Sequence, residues 1–295
     1  MLPFRTVLPP SPYPFSISHQ DQLLSIGSCF SENIGAHLAK AKFDIVVNPF
    51  GILYHPIVIA QHLNRVANDL PFPEDAVFQQ AAHWYSHLHH STFVESSSTD
   101  LLHLIEQQDQ IAKTQLEQSN RLIITFGTAK VYHHKTWDGI VANCHKLPRQ
   151  EFDARLLKVE EIVEVFVPLL QQLCQQSDLR ILFTLSPIRH IRDGMIENQR
   201  SKATLLLAIH EICAQIDRAF YFPAYELLMD DLRNYRFYES DLIHPSQVAI
   251  DYIWNYFQQS FFGESTRGML NEIQSLQKAA AHRAFQPTAL AHQNF

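Results

Sequence analysis

The residues best suited to chemistry in this 295-residue chain lie in two short segments, one near each end. Gly27-Ser28-Cys29-Phe30 follows an apolar run, and Asp241-Leu242-Ile243-His244-Pro245 precedes an aromatic amphipathic stretch. A thiol at a helix N-terminus meets the positive end of the helix dipole, which favours the thiolate and makes it nucleophilic. A serine hydroxyl in the same place needs a neighbouring base. The competing structural reading makes Ser28 an N-cap and Cys29 a small buried residue. A carboxylate three residues before a histidine can accept its Nδ1–H within one turn. This fixes the tautomer and leaves Nε2 free as a general base. The structural alternative is that Asp241 caps local backbone donors. The chain order nucleophile, Asp, His joins the two segments into one candidate centre.

Other polar clusters carry weaker chemistry. Arg189 and His190 follow a strand-like run, and Asn198, Arg200 and Lys202 come shortly after. Together they suit an anionic or sugar group, or equally the capping and surface pairing of a long helix. His83, His87, His89, His90, His133 and His134 match no zinc-ligand spacing and read as solvated or aromatic-stacked. No metal and no cofactor is expected. Cys174 and Cys213 fall on apolar helical faces as buried free thiols, and the four cysteines show no short-range pairing pattern, which suits a reducing cytoplasm.

The elements that must position these residues alternate in type. Apolar runs over Gln22–Ile26, Phe43–Val47, Arg121–Phe126, Arg180–Leu185 and Ala219–Phe222 read as strands. Helical spacing appears over Ser31–Lys42, Pro56–Val66, Asp100–Gln118, Val159–Gln175, Asn198–Ile216 and Ser246–Phe262. This is an α/β pattern with a mostly parallel sheet, decorated by residues 68–98 and 130–155. Ligands of such sheets bind beyond the carboxyl ends of the strands, and Gly27, Gly51, Gly127 and Ser186 all follow strand ends. The organisation expected is an N-terminal extension (1–20), one domain (21–263) and a C-terminal helix and tail (264–295), with QPTALAHQNF frayed.

Composition narrows the partners. Net charge is −7 and no Lys/Arg block occurs, which argues against nucleic acid and anionic membranes. No run approaches a membrane span, and the Pro-rich start lacks a signal-peptide core.

Read together, the motifs resemble one family. IGSCFSENIG (26–35) resembles the signature of the GSCFA family, with Ser31 in place of alanine. NPFGILYHP (48–56), TFGTAKVY (125–132), ANCHK (142–146), SPIRH (186–190), ENQRSKA (197–203) and DLIHPS (241–246) extend the resemblance in order. The family looks like a branch of the SGNH/GDSL hydrolases, which implies a flavodoxin-like three-layer α/β/α sandwich. It also implies an acyl hydrolase or acyltransferase acting on a small-molecule or carbohydrate-linked ester. On that pattern Gly27 takes the place of the glycine of G-D-S, Ser28 that of the aspartate and Cys29 that of the nucleophile. Register and helix-terminus chemistry favour Cys29 over Ser28. Gly51 matches the glycine whose N–H contributes to the oxyanion hole. The usual G-x-N-D asparagine is missing after Gly127, which leaves Thr128 or Asn143 as substitute donors. His90 and Ser91 are implied to line the pocket. The missing asparagine and the cysteine also suit a different reading, a catalytically quiet ligand-binding or scaffold module.

Overall fold

The computed structural model describes residues 5–281; the QPTALAHQNF tail lies outside them. Five strands build the central sheet: β1 (Gln22–Gly27), β2 (Asp44–Val47), β3 (Arg121–Phe126), β4 (Arg180–Leu185) and β5 (Ala219–Phe222). Their order is β5-β4-β3-β1-β2, and every neighbouring pair is parallel. Parallel strands need long crossovers, and here those crossovers are helical. The helices are α1 (Cys29–Lys40), α2 (Pro56–Ala67), α3 (Ser98–Gln118), α4 (Val159–Gln176), α5 (Met195–Gln215), α6 (Gln247–Phe261) and α7 (Glu264–Ala281).

The layers follow from the period-two alternation of strand side chains. Leu24, Ile26, Leu122, Ile124, Phe126, Ile181, Phe183 and Leu185 pack into one core with α2, α4, α5 and the end of α3. The intervening residues Leu23, Ile123, Leu182 and Phe222 pack into a second core with α1 and α6. Both faces are covered, which is why these strands are continuous apolar runs. Phe126, Phe166 and Phe183 are fully buried, each worth about 2–3 kcal/mol of transfer free energy. The result is a three-layer α/β/α sandwich. No described helix is long and apolar enough to cross a membrane.

The two decorations are more regular than their sequence suggests. Val77–Gln80, His83–Ser86 and Val94–Glu95 form a small antiparallel sheet, and Lys130–His134, Gly139–Val141 and Phe152–Leu156 form another. At the opposite side, the segment ahead of β1 lies along edge strand β5. Tyr13 Oη donates to the Tyr221 carbonyl at 2.6 Å, and the Tyr13 ring stacks on Phe261 at 4.3 Å.

Candidate active site

The site begins where β1 ends. Gly27 (φ +148°) is paired with Thr125 of β3, and a Cβ on it would stand 2.2 Å from the Thr125 carbonyl oxygen. Only glycine lets the two chains approach so closely before α1 begins. Ser28, buried, accepts the Phe30 N–H at 3.3 Å as the N-cap of α1. Its hydroxyl therefore serves the helix end, as the structural reading of this turn expects. Cys29 is the first helical residue and only partly buried.

The Cys29 thiol departs from the expectation of a lowered pKa. Burial, the largest influence, pushes it up; the Tyr54 hydroxyl, its own backbone N–H and the charge of Lys202 pull it down, and Glu32 pushes it up. The helix end alone does not ionise this thiol.

Neighbouring strand ends close the site. Residues after β2 turn through Asn48, whose Oδ1 accepts the Gly27 N–H at 2.9 Å, to Gly51. Gly51 (φ +74°) has no room for a side chain, because a Cβ would lie 2.5 Å from the His90 Cβ. Its N–H donates to the Asn48 carbonyl at 2.8 Å, so it is already spent and does not offer the free oxyanion donor that its order in the sequence suggests. After β3, the Gly127 and Thr128 N–H groups both donate to the Tyr54 carbonyl, at 2.8 and 2.9 Å. Thr128 Oγ1 shares a hydrogen bond with Ser201 (3.1 Å) and accepts the Lys130 N–H. Asn143 turns its Oδ1 onto the His145 N–H at 2.8 Å and so braces its own loop. Thr128 is thus engaged, whereas the bond of Asn143 uses its carbonyl oxygen and not its amide N–H donors.

His190, after β4, occupies the space beside Gly127. A Cβ on Gly127 would be 3.4 Å from His190 Nε2 and 3.3 Å from the Ser28 Cβ. The ring meets Tyr54 edge to face at 5.7 Å, and the His190 N–H donates to Asn198 Oδ1 at 2.8 Å. Burial, then the Lys202 charge, pushes its pKa down to about 3, and His244 acts in the same direction. His190 is thus a neutral ring whose buried Nε2 has no hydrogen-bond partner among the described residues. It also borders a cleft of about 270 Å³ lined by Thr128, Lys130, Arg155, Asp193 and Asn198.

The Asp–His pair forms as its spacing predicts. Asp241 Oδ2 lies 2.6 Å from His244 Nδ1, while Oδ1 accepts the N–H groups of Ile243 and His244 at 2.8 and 3.0 Å. The His244 bond, then these backbone donors, holds the Asp241 carboxyl down to about 2. The orienting and capping roles of Asp241 coexist, one oxygen for each. Both side chains are about half exposed. Arg189 secures this loop to the end of β4: its guanidinium donates to the Leu242 carbonyl at 3.1 Å and its backbone N–H to the Ile243 carbonyl at 3.3 Å. The same guanidinium lies over Tyr238 and Tyr235. Arg189 is therefore committed to the loop, in place of the anion-binding role that its position suggests.

Tyr54 is the residue whose place at this site the motifs do not announce; Lys202, grouped in the sequence with Arg189 and Asn198 for an anionic or sugar group, is instead buried on two backbone carbonyls. The signal for Lys202 was present. It lies in the stripe Asn198, Ser201, Leu205, Ala208, Ile209 and Ile212 that α5 buries, where a lysine is out of place unless paired. Elsewhere, His62, His89 and Asp109 bring one ligand atom each within 4.8 Å of one another. Arg65 already bonds both Asp109 oxygens and His62 Nδ1, so this group stands as an ion pair against a ring stack.

Glycine-tipped parallel strands with a helix-capped thiol and an Asp–His loop at their carboxyl ends define a three-layer α/β protein with a candidate site at the strand ends. The chain belongs to the GSCFA family, whose sequence profile matches residues 22–257. No curated protein matches it.

Proposed function

We propose that this chain is an acyl-transfer enzyme of SGNH type, a hydrolase or acyltransferase acting on a small-molecule or carbohydrate-linked ester or thioester in the cytoplasm. The observation that carries the reading is the 2.6 Å contact between Asp241 Oδ2 and His244 Nδ1, on a loop tethered by Arg189 to the strand end beside His190. In this scheme Asp241 fixes the His244 tautomer, and His244 Nε2 takes the proton from Cys29 Sγ. The thiolate attacks the acyl carbon, the alcohol or thiol leaves with that proton, and water or a second acceptor releases the acyl group. The Cys29 N–H, at the first position of α1, is the backbone donor assigned to the oxyanion.

A quiet ligand-binding module is the second reading, favoured by the commitment of the Gly51 N–H to Asn48. The two separate on one experiment. Wild type, Cys29→Ala and Ser28→Ala are incubated with p-nitrophenyl acetate and with a fluorophosphonate probe, followed by peptide mapping. Turnover lost in Cys29→Ala and kept in Ser28→Ala supports the enzyme with Cys29 as nucleophile. The reverse assigns Ser28. Absence of turnover and labelling in the wild type replaces the enzyme by the binding module.

A further inference from the structure

Lys202 is 1% exposed and lies in no ion pair among the described residues. Its Nζ donates to two backbone carbonyls, Gly127 and Ser186, each at 2.7 Å. Those carbonyls follow β3 and β4, the adjacent strands of the sheet. A lysine buried only to brace two turns is costly, because a neutral donor would satisfy the same carbonyls without desolvating a charge. The preceding residue already braces the first of them: Ser201 Oγ accepts the Ala129 N–H at 2.7 Å and bonds Thr128. What Lys202 adds is a cation behind the turn that carries Cys29.

We infer that Lys202 is a positioning residue for Cys29: held on the Gly127 and Ser186 carbonyls, its ammonium stabilises the Cys29 thiolate and fixes the strand ends that frame it. The inference rests on Cys29 as the reacting group of the proposed function. Gly127, whose carbonyl holds the ammonium, lies against Ser28, the neighbour of Cys29: a Cβ on Gly127 would stand 3.3 Å from the Ser28 Cβ, and in keeping with that closeness Lys202 pulls the thiol down and Cys29 pulls the amine up against the burial that sets it near 7. Tyr54 supports the thiolate with its hydroxyl, whereas Glu32 opposes it. His190, from the other side, is kept neutral in part by the same ammonium, so the cation is not duplicated there. Lys202 contacts no reacting atom and gives up no proton in the scheme; the Cys29 proton goes to His244.

The test reads the thiol, not turnover. Iodoacetamide alkylation of Cys29 is followed by peptide mass spectrometry from acid to alkaline pH in wild type, Lys202→Met and Lys202→Arg. Removal of the charge should slow alkylation near pH 7 by about tenfold or more, the effect of one pKa unit, and move the profile to higher pH. The arginine variant should keep the wild-type profile. A folded Lys202→Met protein with an unchanged profile overturns the inference. Should that variant fail to fold, [15N]lysine spectra of the intact chain decide: the Lys202 titration should move to lower pH in Cys29→Ser, and an unmoved titration overturns the inference. A chain that alkylates in this Lys202-dependent way yet turns over no ester supports the inference and counts against the acyl-transfer reading.

Discussion

Acid should unfold this protein through its buried histidines. His55 and His62 are fully buried, and each uses both ring nitrogens in a way that requires the neutral form. His55 Nε2–H donates to the Val141 carbonyl at 3.0 Å while Nδ1 accepts the Val58 N–H as the N-cap of α2. His62 Nε2–H donates to the Leu88 carbonyl at 2.7 Å while Nδ1 accepts from Arg65 at 3.3 Å. Burial pushes their pKa values from 6.5 down to about 4 and about 3. Because the folded values lie below the unfolded one, the unfolded chain takes up protons first. The stability is fully present above 6.5 and is lost as pH falls from there towards 4 and 3. At pH 5 each such histidine costs about 2 kcal/mol, and the two together about 4 kcal/mol. Burial shifts His87, His89, His145 and His190 in the same direction. A domain of ordinary stability, about 5–15 kcal/mol, has little to spare against that sum. Urea unfolding followed by tryptophan fluorescence near pH 7.5, 6.5, 5.5 and 5 measures the slope. His62→Gln, which keeps a donor for Leu88 without a titrating ring, should lessen the loss at pH 5 by about 2 kcal/mol. An unfolding free energy that stays level between pH 7.5 and 5 would refute the reasoning.

Three further substitutions probe the site's scaffold. Gly27→Ala should cost at least about 3 kcal/mol by denaturant unfolding, since its Cβ would meet the Thr125 carbonyl at 2.2 Å. Ser28→Ala should cost about 1 kcal/mol, the loss of one N-cap, and a much larger effect on stability would contradict the capping role. Arg189→Met should speed hydrogen exchange over residues 239–246 with little change in Tm, because it frees the Leu242 carbonyl while the backbone bond to the Ile243 carbonyl stays; unchanged exchange would deny the tether.

The strands RLIITF and RILFTL were legible because a parallel strand covered on both faces must be apolar throughout, and the helices between them show their spacing. The Asp241–His244 pair was legible for a local reason: both partners lie within one turn. The oxyanion donors were not, because whether an amide is free depends on its acceptor, and Gly51 spends its own on Asn48. The tie of Arg189 to the loop was hidden for a related reason: its acceptor, the Leu242 carbonyl, lies 53 residues away in sequence. The Cys29 thiol shows the limit of a rule taken alone, since burial outweighs the helix end. Nor did residues 68–98, legible only as a decoration, reveal that His83–Ser86 pairs with Val77–Gln80 and Val94–Glu95.

The placement of Tyr13 against β5 bears on how the protein is best produced. A chain started after residue 20 would keep the whole family-matched region and every site residue. It would also lose the hydroxyl that occupies the Tyr221 carbonyl and the ring that covers Phe261. What remains is a bare sheet margin flanked by aromatics, a template on which a strand from another molecule can add. Such a trimmed protein should elute from size exclusion as oligomers or precipitate, with its chemistry intact in whatever fraction stays dispersed.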